Sequence, residues 1–113
     1  MLKTRIAVFV SGGGTNLQAL IDAQSAGKLT AGEIVLVLSS RADAYALTRA
    51  ERAGIPTAVC SRKELGGQMA FEEAITAQLQ AHSIDMIVLA GFMSILSRDF
   101  TDRWPERILN VHP

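Results

Sequence analysis

Apolar residues in this chain gather in short runs, and between the runs the periodicity becomes helical. The run 6–10, Ile-Ala-Val-Phe-Val, holds no polar position, as expected of a parallel strand covered on both faces. From Thr15 the apolar residues Leu17, Leu20 and Ile21 fall at i, i+3 and i+4, a helical stripe, and Gly27 stands where a helix C-cap falls. The run 34–38 predicts a second buried strand, ending at Ser39-Ser40-Arg41. Asp43 is placed to cap a helix that carries Ala46, Leu47 and Ala50 on one face, and Gly54 and Pro56 end it. A short third strand is predicted over 57–60. Residues 61–67 are polar, with two glycines at the end, and predict a loop. Phe71, Ile75 and Leu79 predict a helix over about 68–82. The run 85–91 gives the strongest strand pattern, a short helix follows over about 97–103 with Ser97 as its N-cap, and 108–112 predicts a fifth strand.

Strands alternating with helices imply a parallel sheet joined by right-handed crossovers. The expected fold class is therefore α/β, a doubly wound Rossmann-like sheet with helices on both faces. The pattern breaks off after the fifth strand with no helix to cover it. This predicts a truncated piece whose open sheet edge promotes self-association, a homo-oligomer.

Composition narrows the class. The chain has 113 residues, enough for one modest domain, and 49% are hydrophobic, enough for a core. Eleven basic and eleven acidic residues balance, so no broad field draws nucleic acid or an anionic membrane. The single cysteine, Cys60, makes neither a disulfide nor a multi-cysteine zinc site, and reads as a small buried hydrophobe. No run is long enough for a signal peptide core or a membrane span. The expected setting is reducing and cytoplasmic.

Three places carry candidate chemistry. Ser11-Gly12-Gly13-Gly14-Thr15-Asn16 joins the first strand to the first helix. Glycines let backbone amides approach a ligand, and a helix N-terminus favours negative charge, so a phosphate is the natural guest. The loop matches neither a dinucleotide fingerprint, since Leu17 stands at the last glycine position, nor a P-loop. Ser39-Ser40-Arg41 suits a 2′-phosphate, which keeps a non-catalytic, NADP-binding domain as a second reading. Residues 91–97 form an apolar loop after the fourth strand. By pattern alone it is core packing at a helix start, although an exposed version suits a flat organic ligand. Asn110 and His112 sit at i and i+2 of the fifth strand and so share a face, an amide beside a group that exchanges protons near neutral pH. His82 lies at a helix end and reads as structural, as do Tyr45 and Trp104 as packing residues. Two histidines so placed predict no metal site.

Together, residues 11–18, 88–93 and 108–113 resemble the phosphoribosylglycinamide formyltransferase family, folate-dependent enzymes of purine synthesis. The resemblance covers essentially the whole chain and implies that residues 1–113 are the N-terminal part of a formyltransferase domain. It implies that Gly13, Gly14, Thr15 and Asn16 bind the phosphate of phosphoribosylglycinamide. Met93, Ser94, Ile95 and Leu96, with Asn110, would line the site for 10-formyltetrahydrofolate, a co-substrate. Asn110 would hold the formyl oxygen and His112 would transfer the proton as the substrate amine attacks. Related enzymes with an Asn-x-His centre include the formyltetrahydrofolate deformylases, in which water replaces the amine. The sequence departs from the pattern at Ser94, where arginine is common, and at Gln68, where a basic residue is frequent. Arg62 and Lys63 lie close by without matching in position. The family's catalytic aspartate falls beyond residue 113.

Overall fold

The computed structural model describes residues 3–111. Strands β1 (Thr4–Val10), β2 (Gly32–Ser39), β3 (Thr57–Val59), β4 (Met86–Ala90) and β5 (Ile108–Val111) form one sheet in the order β3-β2-β1-β4-β5. Every pairing is parallel. β1 lies in the middle, and residues 6–10 are all buried, which explains why its sequence lacks polar alternation.

Helices α1 (Thr15–Ser25) and α2 (Tyr45–Arg52) cover one face of the sheet. Leu17 and Ile21 of α1 and Ala46 and Ala50 of α2 pack there on Ile6, Val8, Val10, Ile34 and Val88. On the other face lie α3 (Arg62–Leu65), α4 (Gln68–Ala81) and α5 (Arg98–Asp102). Phe71, Ile75 and Leu79 of α4 and Phe100 of α5 pack there on Ala7, Phe9, Leu36, Leu38 and Ile87, with Trp104 partly buried against them. The expected α/β class, with helices on both faces, is what the chain forms. Among the described residues no helix is long and apolar enough to cross a membrane.

Local expectations fail in three places. The polar stretch 61–67 contains α3, a single helical turn. The Ser61 hydroxyl accepts from the Glu64 N–H (3.4 Å), and Gly66 at φ 90° closes the turn. Four residues are too few to show periodicity, so the cap was the only signal. Asp43 does not cap α2. Its carboxylate turns to the Arg41 guanidinium through two hydrogen bonds of 3.0 Å, and Ala44 holds the N-cap position instead. Tyr45 is 46% exposed rather than packed in the core; its ring lies under the guanidinium groups of Arg49 (5.0 Å) and Arg52 (5.8 Å). Ser97 does cap α5, accepting from the Phe100 N–H at 3.2 Å. The His82 Nδ1–H donates to the Gln78 carbonyl (3.0 Å), closing the end of α4.

Candidate functional site

The strand order reverses direction at β1. The chain steps from β1 to β2 on one side, and β4 enters on the other. In open α/β sheets this switch point leaves a crevice at the carboxyl ends of the strands, where ligands bind. The loops that meet here are the glycine loop after β1 and the 91–97 loop after β4. Gly12, Gly13, Gly14, Thr15 and Asn16 line a cavity of about 220 Å³ whose far wall is Ala90 and Gly91.

The three glycines of the loop have different reasons to be glycine. Gly14 adopts φ 79°, and a Cβ there would stand 2.6 Å from the Ala46 Cβ. It is needed for the turn and for the close approach of α2. Gly12 and Gly13 have neither constraint: both lack a positive φ, and a Cβ on either would meet nothing within 4 Å. The backbone there is exposed toward open space. The N-terminus of α1, whose first residues line the cavity, has no side-chain cap and no acidic residue in its first turn, so no side-chain acceptor competes for its leading amides.

Arg49 braces this loop, and nothing in its local sequence marks it for the task. Its Nε–H donates to the Gly13 carbonyl (2.7 Å) and its Nη1–H to the Gln18 side-chain oxygen (3.3 Å). The residue comes from the last turn of α2, where a cation is ordinary, and 36 positions separate it from Gly13. The brace extends to α2 itself, whose Ala46 N–H donates to the Gly12 carbonyl at 3.0 Å.

The 91–97 loop divides by residue. Phe92 and Leu96 pack on the core, Phe92 edge-on to Phe9 at 5.3 Å, as the pattern favoured. Met93 (82% exposed) and Ile95 (72% exposed) instead project to solvent, while Ser94 is half-buried. Hydrogen bonds to other elements fix the loop. The Met93 N–H donates to the Ser11 Oγ (2.8 Å). The Gln68 side-chain N–H donates to the Ile95 carbonyl (2.8 Å). The Ser97 N–H and hydroxyl both donate to the Glu72 carboxylate, at 2.5 and 2.6 Å. Burial opposes the charge on Glu72, but the bonds from Ser97 and Gln68, with Arg103 nearby, outweigh it and hold its pKa below the usual carboxylate value. Gln68 itself receives an N–H from Arg62 at 3.3 Å. A guanidinium therefore does reach the place of Gln68, from the α3 turn.

Asn110 is exposed on β5, in register with Leu89 of β4, so it stands at the same end of the sheet as Gly91. His112 lies outside the described residues. The groups named for the NADP reading bond within the chain. The Arg41 guanidinium is held by Asp43, whose pKa is lowered by the hydrogen bonds and charge of that pair. Ser39 bonds the backbone of Arg41, and Ser40 turns inward to Ser11. The Cys60 thiol is buried, and burial pushes its pKa up, away from thiolate chemistry. Among the described residues no group of three or more His, Cys, Asp or Glu side chains is placed to hold a metal ion.

Residues 4–113 match the family model described as "Formyl transferase". The chain is 49% identical over 109 residues to the phosphoribosylglycinamide formyltransferase of Haemophilus influenzae, an alignment covering 96% of this chain and 51% of that protein. It is 48% identical over 112 residues to the trifunctional purine biosynthetic protein adenosine-3 of Gallus gallus, covering 98% of this chain and 11% of that protein. The crystal structure of the phosphoribosylglycinamide formyltransferase from Brucella melitensis superposes with a TM-score of 0.93 at 45% identity, over 99% of this chain and 58% of that one. The chain thus spans about half the length of the Haemophilus influenzae protein.

Proposed function

The chain belongs to the formyl transferase family, and from that premise we propose that it supplies the N-terminal part of a phosphoribosylglycinamide formyltransferase domain. In this reading the domain transfers a formyl group from 10-formyltetrahydrofolate to the amine of 5′-phosphoribosylglycinamide, a step of purine synthesis in the cytoplasm.

The observation that carries the proposal is the cavity at the switch point, into which Gly12 and Gly13 expose backbone that no packing or dihedral requirement explains. Amides of Gly13, Gly14, Thr15 and Asn16 hold the substrate phosphate, helped by the uncapped start of α1. Met93 and Ile95 offer apolar surface to the flat ring of the formyl donor, Ser94 and Leu96 complete that wall, and the hydrogen-bonded backbone keeps it in place. Asn110 orients the formyl oxygen and stabilises the negative charge that develops on it as the amine bonds to the formyl carbon. His112 carries the proton from the attacking amine toward the departing folate nitrogen. Self-association into a homo-oligomer belongs to the same proposal, with Leu109, 53% exposed on β5, as the apolar side chain it covers.

The test is a calorimetric titration of the folded chain with phosphoribosylglycinamide, with NADP as comparison. Saturable binding of the first ligand alone supports the proposal. Binding of NADP alone, or of neither, refutes the phosphate assignment.

A further inference from the structure

Ser11 is the root of the glycine loop, but its side chain takes no part in the cavity. It is 4% exposed. Its Oγ lies 2.5 Å from the Ser40 Oγ and accepts the Met93 N–H at 2.8 Å. An amide can only donate, so the Ser11 oxygen accepts from Met93, and the proton of one of the two hydroxyls bridges Ser11 and Ser40. The Ser40 backbone is fixed in turn, its N–H donating to the Val10 carbonyl at 3.1 Å. The loops after β1, β2 and β4 thus meet at one buried hydroxyl. Among the described residues every buried side-chain nitrogen or oxygen has a hydrogen-bond partner, the two serine oxygens included. Such buried polar contacts have few alternative arrangements and transmit constraint between the segments they join.

The neighbours of Ser11 on the two loops differ in freedom. Gly12 and Gly13 have open space around them, and Met93 projects its side chain to solvent. The hydrogen bond from the Met93 N–H to the Ser11 Oγ links the glycine loop directly to the first exposed side chain of the 91–97 loop.

We propose that Ser11 is a positioning residue that couples the two substrate loops: an anion held by the glycine loop stiffens the Ser11–Gly12 backbone and, through the Ser11 Oγ, fixes the Met93 amide and the start of the formyl-donor wall. The inference rests on the reading of the glycine loop as a phosphate site. The coupling needs no change of shape, because ordering one segment lowers the entropy cost of ordering the other.

Amide hydrogen exchange at Met93, measured by NMR with and without saturating phosphoribosylglycinamide, tests it. The ligand should slow exchange of the wild-type Met93 amide by at least about fivefold, the lower end of ordinary coupling energies. In Ser11→Cys, close in size but a weak acceptor, the ligand should still bind while the slowing disappears. Ser11→Ala provides a second variant with the acceptor removed. A ligand-dependent ratio is the readout that a purely structural serine would not alter. Binding to the wild type without slowing at Met93 overturns this inference and leaves the phosphate site standing, as does slowing that persists in a folded variant. Failure of the wild type to bind overturns the phosphate reading, and this inference with it.

Discussion

Gly14 lies so close to Ala46 that a Cβ built on it would sit 2.6 Å from the alanine's Cβ and 2.9 Å from its Cα. The second atom is helix backbone, which cannot step aside. Gly14→Ala should therefore cost about 2–4 kcal/mol, from a left-handed backbone and an overfilled contact. Gly13→Ala should keep stability within about 1 kcal/mol, since its space is open, yet weaken phosphoribosylglycinamide binding at least about tenfold. Urea unfolding and titration of both variants separate the two roles.

Arg49 holds the Gly13 carbonyl and the Gln18 side chain with two arms of one planar group. Arg49→Met should weaken binding of phosphoribosylglycinamide about 5- to 20-fold. Arg49→Lys should recover little of it, because an ammonium lacks the fork that spans both acceptors. Equal affinity in Arg49→Lys and wild type would show that charge alone matters.

The Glu72 carboxylate anchors the far end of the 91–97 loop and caps α5 from outside. Its folded pKa is depressed, so its stabilisation is complete above the unfolded value, about 4.3, and is lost as pH falls through the lower folded value. Glu72→Gln should cost roughly 1–2 kcal/mol at pH 7 and show a shallower acid-side loss than wild type. Chemical denaturation at pH 7 and below pH 4 reads both, and parallel pH profiles would contradict this account of the anchor.

Leu109 is exposed on β5, whose pairing runs to β4. The sedimentation coefficient of the chain should rise with concentration, and Leu109→Asp should reduce that rise. A concentration-independent monomer in the wild type would remove self-association from the proposal.

The sheet is legible in the sequence because each central strand contains a run of five apolar residues, and that pattern survives any register. The glycine loop was legible for a similar reason: its glycines outnumber what one turn uses, and only Gly14 proved structural. What stayed hidden lies between elements. Arg49 looks like an ordinary last-turn cation until folding places it against Gly13. Asp43 has the right offset for a cap, but Arg41 two residues away competes for the same carboxylate. The 91–97 loop reads as apolar, and its hydrogen bonds to Ser11, Gln68 and Glu72, made across elements, leave no trace in its own pattern. Asn110 was correctly expected at the carboxyl edge of the sheet, whereas its companion His112 lies outside the described residues.

The central claim is that the switch-point cavity holds the substrate phosphate through backbone amides. The most direct test is the ¹⁵N–¹H spectrum of the chain recorded during addition of phosphoribosylglycinamide. Amide shifts concentrated at Gly12, Gly13, Gly14, Thr15 and Asn16, with Gly91 following, are the predicted result. Shifts centred on Ser39, Ser40 and Arg41, or none at all in the folded chain, would contradict it.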